Sequence, residues 1–274
     1  GNKNIALGNN SGYNITTGYR NVFIGANVGN SVTTGSDNLL IGNDAGFSLT
    51  TESNNLCLGV NAGKNNISSD NMFVGTDAGR DTNTGTRNVC MGFSAGVLHQ
   101  THSDNIFIGT NAGFGDSSYG SYNTDASDIL TGNINIAIGS SAGYNLTVGY
   151  SNTFIGNSSG YSTTSGENNM CIGSISGYSI TTGSGNLLMG DQSGYNITTA
   201  GNNVCLGVSA GYKNTASNNM FIGANAGKYN TSAENNMFIG NGAGCTNSTG
   251  HSNIFYGKFG RLFFINCISK HLYW

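Results

Sequence analysis

Asn21-Val22-Phe23-Ile24-Gly25-Ala26-Asn27-Val28-Gly29 is one copy of a pattern that recurs fifteen times along the chain. Each copy has an asparagine, three mostly apolar residues, a glycine, three further residues and, in all copies but the last, a second glycine. Eleven of the fourteen intervals between the first glycines are 17 residues and two are 16. The remaining interval of 30 residues is one repeat plus a 13-residue insertion. A short period held over a whole chain indicates stacked repeats, each burying its apolar side chains against its neighbours.

Each repeat is numbered from its first glycine, which is position 0, so that the asparagine is at −4 and the apolar triplet at −3 to −1. Three apolar residues between Asn and Gly are too few for a helix, whereas β-branched and aromatic residues suit a strand. Glycine provides the backbone conformations that a corner requires. The pattern therefore predicts an all-β fold, a parallel β-solenoid or β-roll of about fifteen 17-residue coils. It predicts one strand at −4 to −1 and a second, shorter one at +6 to +9.

Both faces of the first predicted strand are apolar. Neighbouring strand residues point to opposite sides, so positions −3 and −1 share one face and −2 takes the other. A solenoid has a single interior, and a strand that is apolar on both faces is normally covered on both. The pattern therefore favours a homo-oligomer, and the alternative is lateral contact within a bundle of rods.

The asparagine at −4 is present in all fifteen copies. Stacked asparagine amides both donate and accept hydrogen bonds, which satisfies polar side chains at a corner of the coil. We interpret this column as a structural ladder. Its members are Asn4, Asn21, Asn38, Asn55, Asn71, Asn88, Asn105, Asn135, Asn152, Asn169, Asn186, Asn203, Asn219, Asn236 and Asn253.

Composition indicates one repeat domain, residues 1–257, with an insertion at about 114–133 and a C-terminal cap at 258–274. Charged residues make up 8% of the chain and its net charge is −3, which argues against nucleic acid as a partner. No apolar stretch approaches the roughly 20 residues that span a bilayer, so no membrane insertion is expected. Four cysteines, Cys57, Cys90, Cys171 and Cys205, occupy position −2, where we expect free, buried thiols.

The segments 21–29 and 135–143, Asn-Val-Phe-Ile-Gly-Ala-Asn-Val-Gly and Asn-Ile-Ala-Ile-Gly-Ser-Ser-Ala-Gly, resemble the head repeats of trimeric autotransporter adhesins of the YadA type. They are even more similar to the longer repeats of viral and phage tail-fibre proteins. The resemblance covers about residues 4–257. It implies a left-handed, trimeric β-roll in the extracellular space or on a virion surface, where it binds a host or matrix ligand. The chain departs from the adhesin heads in its longer repeat and in the Phe or Cys at −2.

Sites of binding are expected where the repeat is interrupted, because loops on a rigid scaffold often carry function. The insertion offers candidate ligand contacts, although insertions in solenoids are also tolerated without function. These candidates are Asp116, Tyr119, Tyr122, Asp125 and Asp128. A tyrosine column at +5 either contacts sugar rings or covers a corner of the coil.

Catalytic and metal sites are not expected. We find no set of nucleophile, base and orienting residue and no cofactor motif, and His99 and His102 are more typical of exposed loop histidines than of metal ligands. The sequence therefore predicts a structural fibre or adhesin segment, not an enzyme, whose partners are copies of itself and a surface receptor or glycan. The alternatives are an ice-binding solenoid and a self-polymerising extracellular filament. Against ice binding, adjacent threonines in a strand would face opposite sides.

Overall fold

The computed structural model describes residues 1–98, 101–115 and 132–257. These residues contain fifteen strands of three residues each and no helix. The strands are β1 Ile5–Leu7, β2 Val22–Ile24, β3 Leu39–Ile41, β4 Leu56–Leu58, β5 Met72–Val74, β6 Val89–Met91, β7 Ile106–Ile108, β8 Ile136–Ile138, β9 Thr153–Ile155, β10 Met170–Ile172, β11 Leu187–Met189, β12 Val204–Leu206, β13 Met220–Ile222, β14 Met237–Ile239 and β15 Ile254–Tyr256. Each strand covers positions −3 to −1 of one repeat, and the prediction of a parallel β-solenoid is confirmed.

The chain divides into two compact units, Gly1–Ser151 and Asn152–Trp274. The first unit contains β1 to β8 and the second, described as far as residue 257, contains β9 to β15. Within each unit, neighbouring strands pair in parallel and in register, so that Phe23 pairs with Leu40 and Phe221 with Phe238. Equivalent positions of successive repeats therefore form continuous columns. The proposed cap, residues 258–274, lies outside the described part of the chain.

Position −2 points into the core of each unit. Phe23, Phe73 and Phe154 are fully buried there, and so is Cys171. The small residue at +3 and the residue at +7, such as Ile180, pack against this column from the other side of the coil. Positions −3 and −1 point away from the core and keep part of their surface exposed. The strand is thus buried on one face only within a single chain.

Two glycine columns are required by close packing at the corners. At position 0, Gly173 has a φ of +133°, and a Cβ there would lie 2.5 Å from the carbonyl oxygen of Gly190 in the next coil. At position +4, Gly79 has a φ of +56°, and a Cβ would lie 2.3 Å from the ring of Phe73. Side chains at either column would collide with the backbone or with the core. The absence of a side chain at +4 therefore leaves room for the aromatic ring at −2.

The predicted second strand at +6 to +9 is wrong. The described residues there form bends, in which Thr16 N–H and Gly18 N–H both donate to the Thr33 carbonyl, at 2.9 and 3.3 Å. The Thr33 carbonyl thus accepts two backbone hydrogen bonds from the preceding coil, whose backbone turns after position +8 and does not continue as a strand. Because the segment is bent and is not a strand, the alternation behind the expectation that adjacent threonines face opposite sides does not apply, and Thr16 and Thr17 are both exposed.

Thr163 is expected to lower the stability of the second unit, and Thr163→Val to raise it. Its side chain is fully buried at position +7, beside Ile180 of the next coil, and the described residues offer its hydroxyl no hydrogen-bond partner. A buried hydroxyl without a partner costs about 1–3 kcal/mol. We expect Thr163→Val to raise the free energy of unfolding by about 1–2 kcal/mol in urea denaturation. Thr164→Val is the control, since Thr164 donates to the Thr181 carbonyl at 3.3 Å and should gain nothing.

Candidate functional site

The strand face, which consists of the first and third residues of each strand β1 to β15, runs along each unit. Thr153 is the one position on it without a mainly apolar side chain, and it carries no charge. Many of these side chains are well exposed, with Met170 at 41% and Met189 at 40%. A single chain therefore presents an uncharged apolar surface along each of its units.

The asparagine column lies behind the strand face, and every member except Asn4 is buried. The backbone N–H and Nδ2 of Asn38 both donate to Asn21 Oδ1, at 3.0 and 3.1 Å. Nδ2 also donates to the Glu52 carbonyl at 2.9 Å, while Asn38 Oδ1 accepts the same pair of bonds from Asn55. The Asn38 amide thus links its strand to both neighbouring strands and closes its own coil. This arrangement holds the backbone and leaves no group facing solvent for a ligand.

The ladder changes at the 16-residue coils, a feature that the periodicity did not predict. Asn55 Oδ1 accepts from the backbone of Asn71 but takes its second bond from Asn66 Nδ2, at 3.3 Å. In the second unit Asn214 Nδ2 donates to Asn203 Oδ1 in the same way, at 3.1 Å. A buried asparagine at +7 therefore compensates for the missing residue. The sequence contained a partial signal, since both 16-residue coils have asparagine at +7, although Asn230 and Asn247 occupy the same position in 17-residue coils.

The cysteines at position −2 are buried, as predicted, and free in the described structure. Burial raises the pKa of Cys57 to about 12 and raises the pKa values of Cys90, Cys171 and Cys205 as well. Protonated thiols in an apolar core are poor nucleophiles and poor metal ligands. They act here as small core residues between larger neighbours.

The tyrosine column at +5 forms a stack in the second unit. Ring centroids are 5.0 Å apart for Tyr161 and Tyr178, 5.2 Å for Tyr178 and Tyr195, and 5.1 Å for Tyr195 and Tyr212. The planes are within 16° of parallel. Both faces of the two inner rings are covered by other tyrosines. Stacking on a sugar ring is therefore restricted to the ends of the column, and the inner rings present edges and hydroxyls.

Position −5, which precedes the ladder, carries charges in the first unit. Arg20 contacts Asp37 through two hydrogen bonds of 2.5 and 2.8 Å, and Arg87 contacts Asp104 at 2.6 and 2.8 Å. The hydrogen bonds from the arginines lower the pKa of both carboxyls below the usual range. These exposed pairs neutralise each other and leave no cluster of one sign.

The predicted ligand contacts Asp116, Tyr119, Tyr122, Asp125 and Asp128 lie outside the described residues. The two ends of the predicted insertion belong to the regular coils. Phe114 stacks on Tyr144 with centroids 5.1 Å apart, and Asn133 Oδ1 accepts a bond of 2.8 Å from the Ser103 backbone. Any projection from the scaffold therefore starts after residue 115 and returns before residue 132.

His102 is buried, contrary to the expectation of an exposed loop histidine, and His99 is outside the described residues. No group of three His, Cys, Asp or Glu side chains in the described ranges could hold a metal ion. The same ranges include no helix that is long and apolar enough to span a membrane.

Comparison with known proteins gives no match to this chain among family models, curated proteins or solved structures. Its function must therefore be argued from its own surfaces.

Proposed function

We propose that this chain is a structural segment of a fibre or adhesin on a virion or cell surface, in which three copies associate through their strand faces. The observation that carries the proposal is the strand face itself. In the first unit, eight strands about 4.8 Å apart and three residues wide give an apolar footprint of roughly 400 Å². A patch of this size is often the largest on a soluble monomer and is often an interaction site. Here each unit carries one.

A second copy of the same chain is the partner that fits this face best. The side chains of the face repeat once per coil, in register along each unit. Close packing requires the two surfaces to interdigitate at every coil. A surface with a different repeat spacing would lose this interdigitation after a few coils, whereas another copy of the chain has the same spacing throughout. The strand face carries no charged side chain along its length, so an identical face can cover it without any ion pair.

Met72→Glu, Met170→Glu and Met237→Glu, combined in one chain, should dissociate the assembly. The three methionines are 36–41% exposed in the single chain, so charge there is tolerated by the fold. In an interface, an unpaired buried charge costs about 2–5 kcal/mol, so the dissociation constant should rise at least a hundredfold. Light scattering coupled to gel filtration should show a trimer for the native chain and a monomer for the variant.

The matched control places three glutamates on another surface, as Thr34→Glu, Thr182→Glu and Thr199→Glu. These threonines are exposed at the bent segment, and the trimer should survive. A native chain that is monomeric in solution, or a control that dissociates equally, would sink the proposal of lateral association.

One observation favours ice binding as a second candidate. Thr16 and Thr17 have equivalents in the next two coils, and five of these six threonines are exposed while Thr33 is partly exposed. The hydroxyls of Thr16 and Thr33 are tied to carbonyls of the following coil, which fixes their orientation. A thermal-hysteresis assay tests this function, and an inactive native chain would eliminate it. The filament alternative depends on residues 258–274, which the structure does not describe.

A further inference from the structure

Residues 4–109 and 152–257 are two copies of the same seven-coil arrangement. Their first asparagines, Asn4 and Asn152, are 148 residues apart (152 − 4), and their 16-residue coils end at Gly75 and Gly223, again 148 apart (223 − 75). The segments 55–60 and 203–208, Asn-Leu-Cys-Leu-Gly-Val and Asn-Val-Cys-Leu-Gly-Val, show the correspondence directly. The second copy begins at the first residue of the second unit. Equivalent residues of the two units can therefore be compared one by one.

In the first unit, the carboxylate of Asp81 is enclosed by donors from two coils. Asn65 Nδ2 donates to Asp81 Oδ1 at 2.8 Å, and Arg80 donates to Oδ2 through Nε at 3.0 Å and Nη2 at 2.7 Å. Asp77 lies 3.8 Å from the same guanidinium, and Asp44 binds Lys64 at 3.0 Å. This corner of the first unit thus contains its own counter-ions.

In the second unit the acids are lost, whereas two cations are present, one retained and one gained, and Lys64 is replaced by Tyr212. The equivalents of Asn65 and Arg80 are Lys213 and Lys228, and the equivalent of Asp81 is Tyr229. Asp44 and Asp77 correspond to the neutral residues Gln192 and Asn225.

The two ammonium groups converge on the tyrosine that replaces the acid. Lys213 Nζ lies 5.2 Å and Lys228 Nζ 5.7 Å from the centroid of the Tyr229 ring, which is 44% exposed. Within the described residues, neither ammonium has a carboxylate partner. Two like charges held at one ring favour an anion supplied from outside.

We propose that Lys213, Lys228 and Tyr229 bind an acidic saccharide, whose carboxylate or sulfate takes the role that the Asp81 carboxylate has in the first unit. Tyr229 offers an exposed aromatic surface, and Tyr212 ends the tyrosine stack beside Lys213, which suits a ligand with both apolar and hydroxyl faces. Two cations match one anionic group, whereas a nucleic-acid backbone requires a longer basic track. The inference rests on the proposed surface role, because it names the class of ligand that such a segment would bind.

Calorimetric titration of the full chain tests the site. The probes are a sulfated dextran hexasaccharide, a galacturonate hexasaccharide, unsulfated dextran hexasaccharide, inorganic sulfate and a single-stranded oligonucleotide. We expect one or both acidic hexasaccharides to bind, and Lys213→Gln with Lys228→Gln to weaken that binding about tenfold or more, as expected when charge-assisted hydrogen bonds are lost. Tyr229→Asp restores the internal counter-ion of the first unit and should also abolish binding.

The control is Arg20→Gln with Lys64→Gln, which changes the net charge equally in the first unit and should leave binding intact. Equal binding by the lysine variant, by the neutral hexasaccharide or by inorganic sulfate would overturn the saccharide site, and so would tighter binding by the oligonucleotide. The triple methionine variant separates the two proposals. If that variant is monomeric and binds the acidic saccharide as the native chain does, the site does not depend on the association. A native chain that is monomeric and still binds the saccharide would support this site and leave only the lateral association in error.

Discussion

Gly173→Ala is expected to lower the free energy of unfolding of the second unit by roughly 2–6 kcal/mol. The backbone at Gly173 has a φ of +133°, a region that costs a side chain about 1–3 kcal/mol. The added Cβ would also lie 2.5 Å from the carbonyl oxygen and 2.6 Å from the carbonyl carbon of Gly190, and such overpacking costs about another 1–3 kcal/mol. The neighbouring backbone cannot retreat without losing its sheet hydrogen bonds. Urea denaturation followed by circular dichroism measures the loss.

Gly257→Ala is the matched control for this effect. Gly257 has nearly the same φ, +129°, but no described atom lies within 4 Å of its added Cβ. It should therefore show the backbone strain alone, about 1–3 kcal/mol. If the two variants lose equal stability, the contact between glycine columns contributes nothing and the stated reason is wrong.

Asn38→Ala is expected to destabilise the first unit by roughly 3–6 kcal/mol. The change removes the acceptor for two bonds from Asn55 and the donor to the Glu52 carbonyl. Each buried polar group left without a partner costs about 1–3 kcal/mol, and Asn38 itself is 1% exposed, so water cannot replace it. The loss should appear as a lower midpoint in thermal and urea unfolding.

Asn43→Ala tests whether the effect belongs to the ladder or to asparagine in general. Asn43 lies at position +1 of the same repeat as Asn38 and is exposed, so its replacement should change stability by less than about 0.5 kcal/mol. Losses of similar size at Asn38 and Asn43 would show that the stacked amides are not what holds the coils together.

The strands were predictable because one short signal, three apolar residues between Asn and Gly, coincides with the whole element. The predicted second strand was wrong because Ile15-Thr16-Thr17 has strand-like residues, while its conformation is set by bonds to the next coil. Residue propensity contains no information about a carbonyl such as that of Thr33, which accepts two donors. Alternation separates position −2 from −3 and −1, but which of the two faces points inward is decided by the direction in which the coil closes, and alternation does not encode that direction.

The lysine site could not be found from residue types alone. Lys213 and Lys228 are ordinary surface lysines until their equivalents Asn65 and Arg80 are seen around a buried carboxylate. The sequence did contain the clue, since its two 16-residue intervals stand at the same place in each copy. The 17-residue period is so strong that it conceals the longer repeat.

The in-register pairing of successive strands has a consequence for the speed of folding. Parallel β-structure usually forms slowly, because its partners are far apart along the chain and their loops must close first. Here most strands pair with partners that begin 16 or 17 residues away, so the relative contact order is only roughly 0.06 (17/274), below the usual range of helical bundles. Each coil can be added to the previous one as soon as it is available, and an all-β chain of this kind is expected to fold by rapid sequential growth.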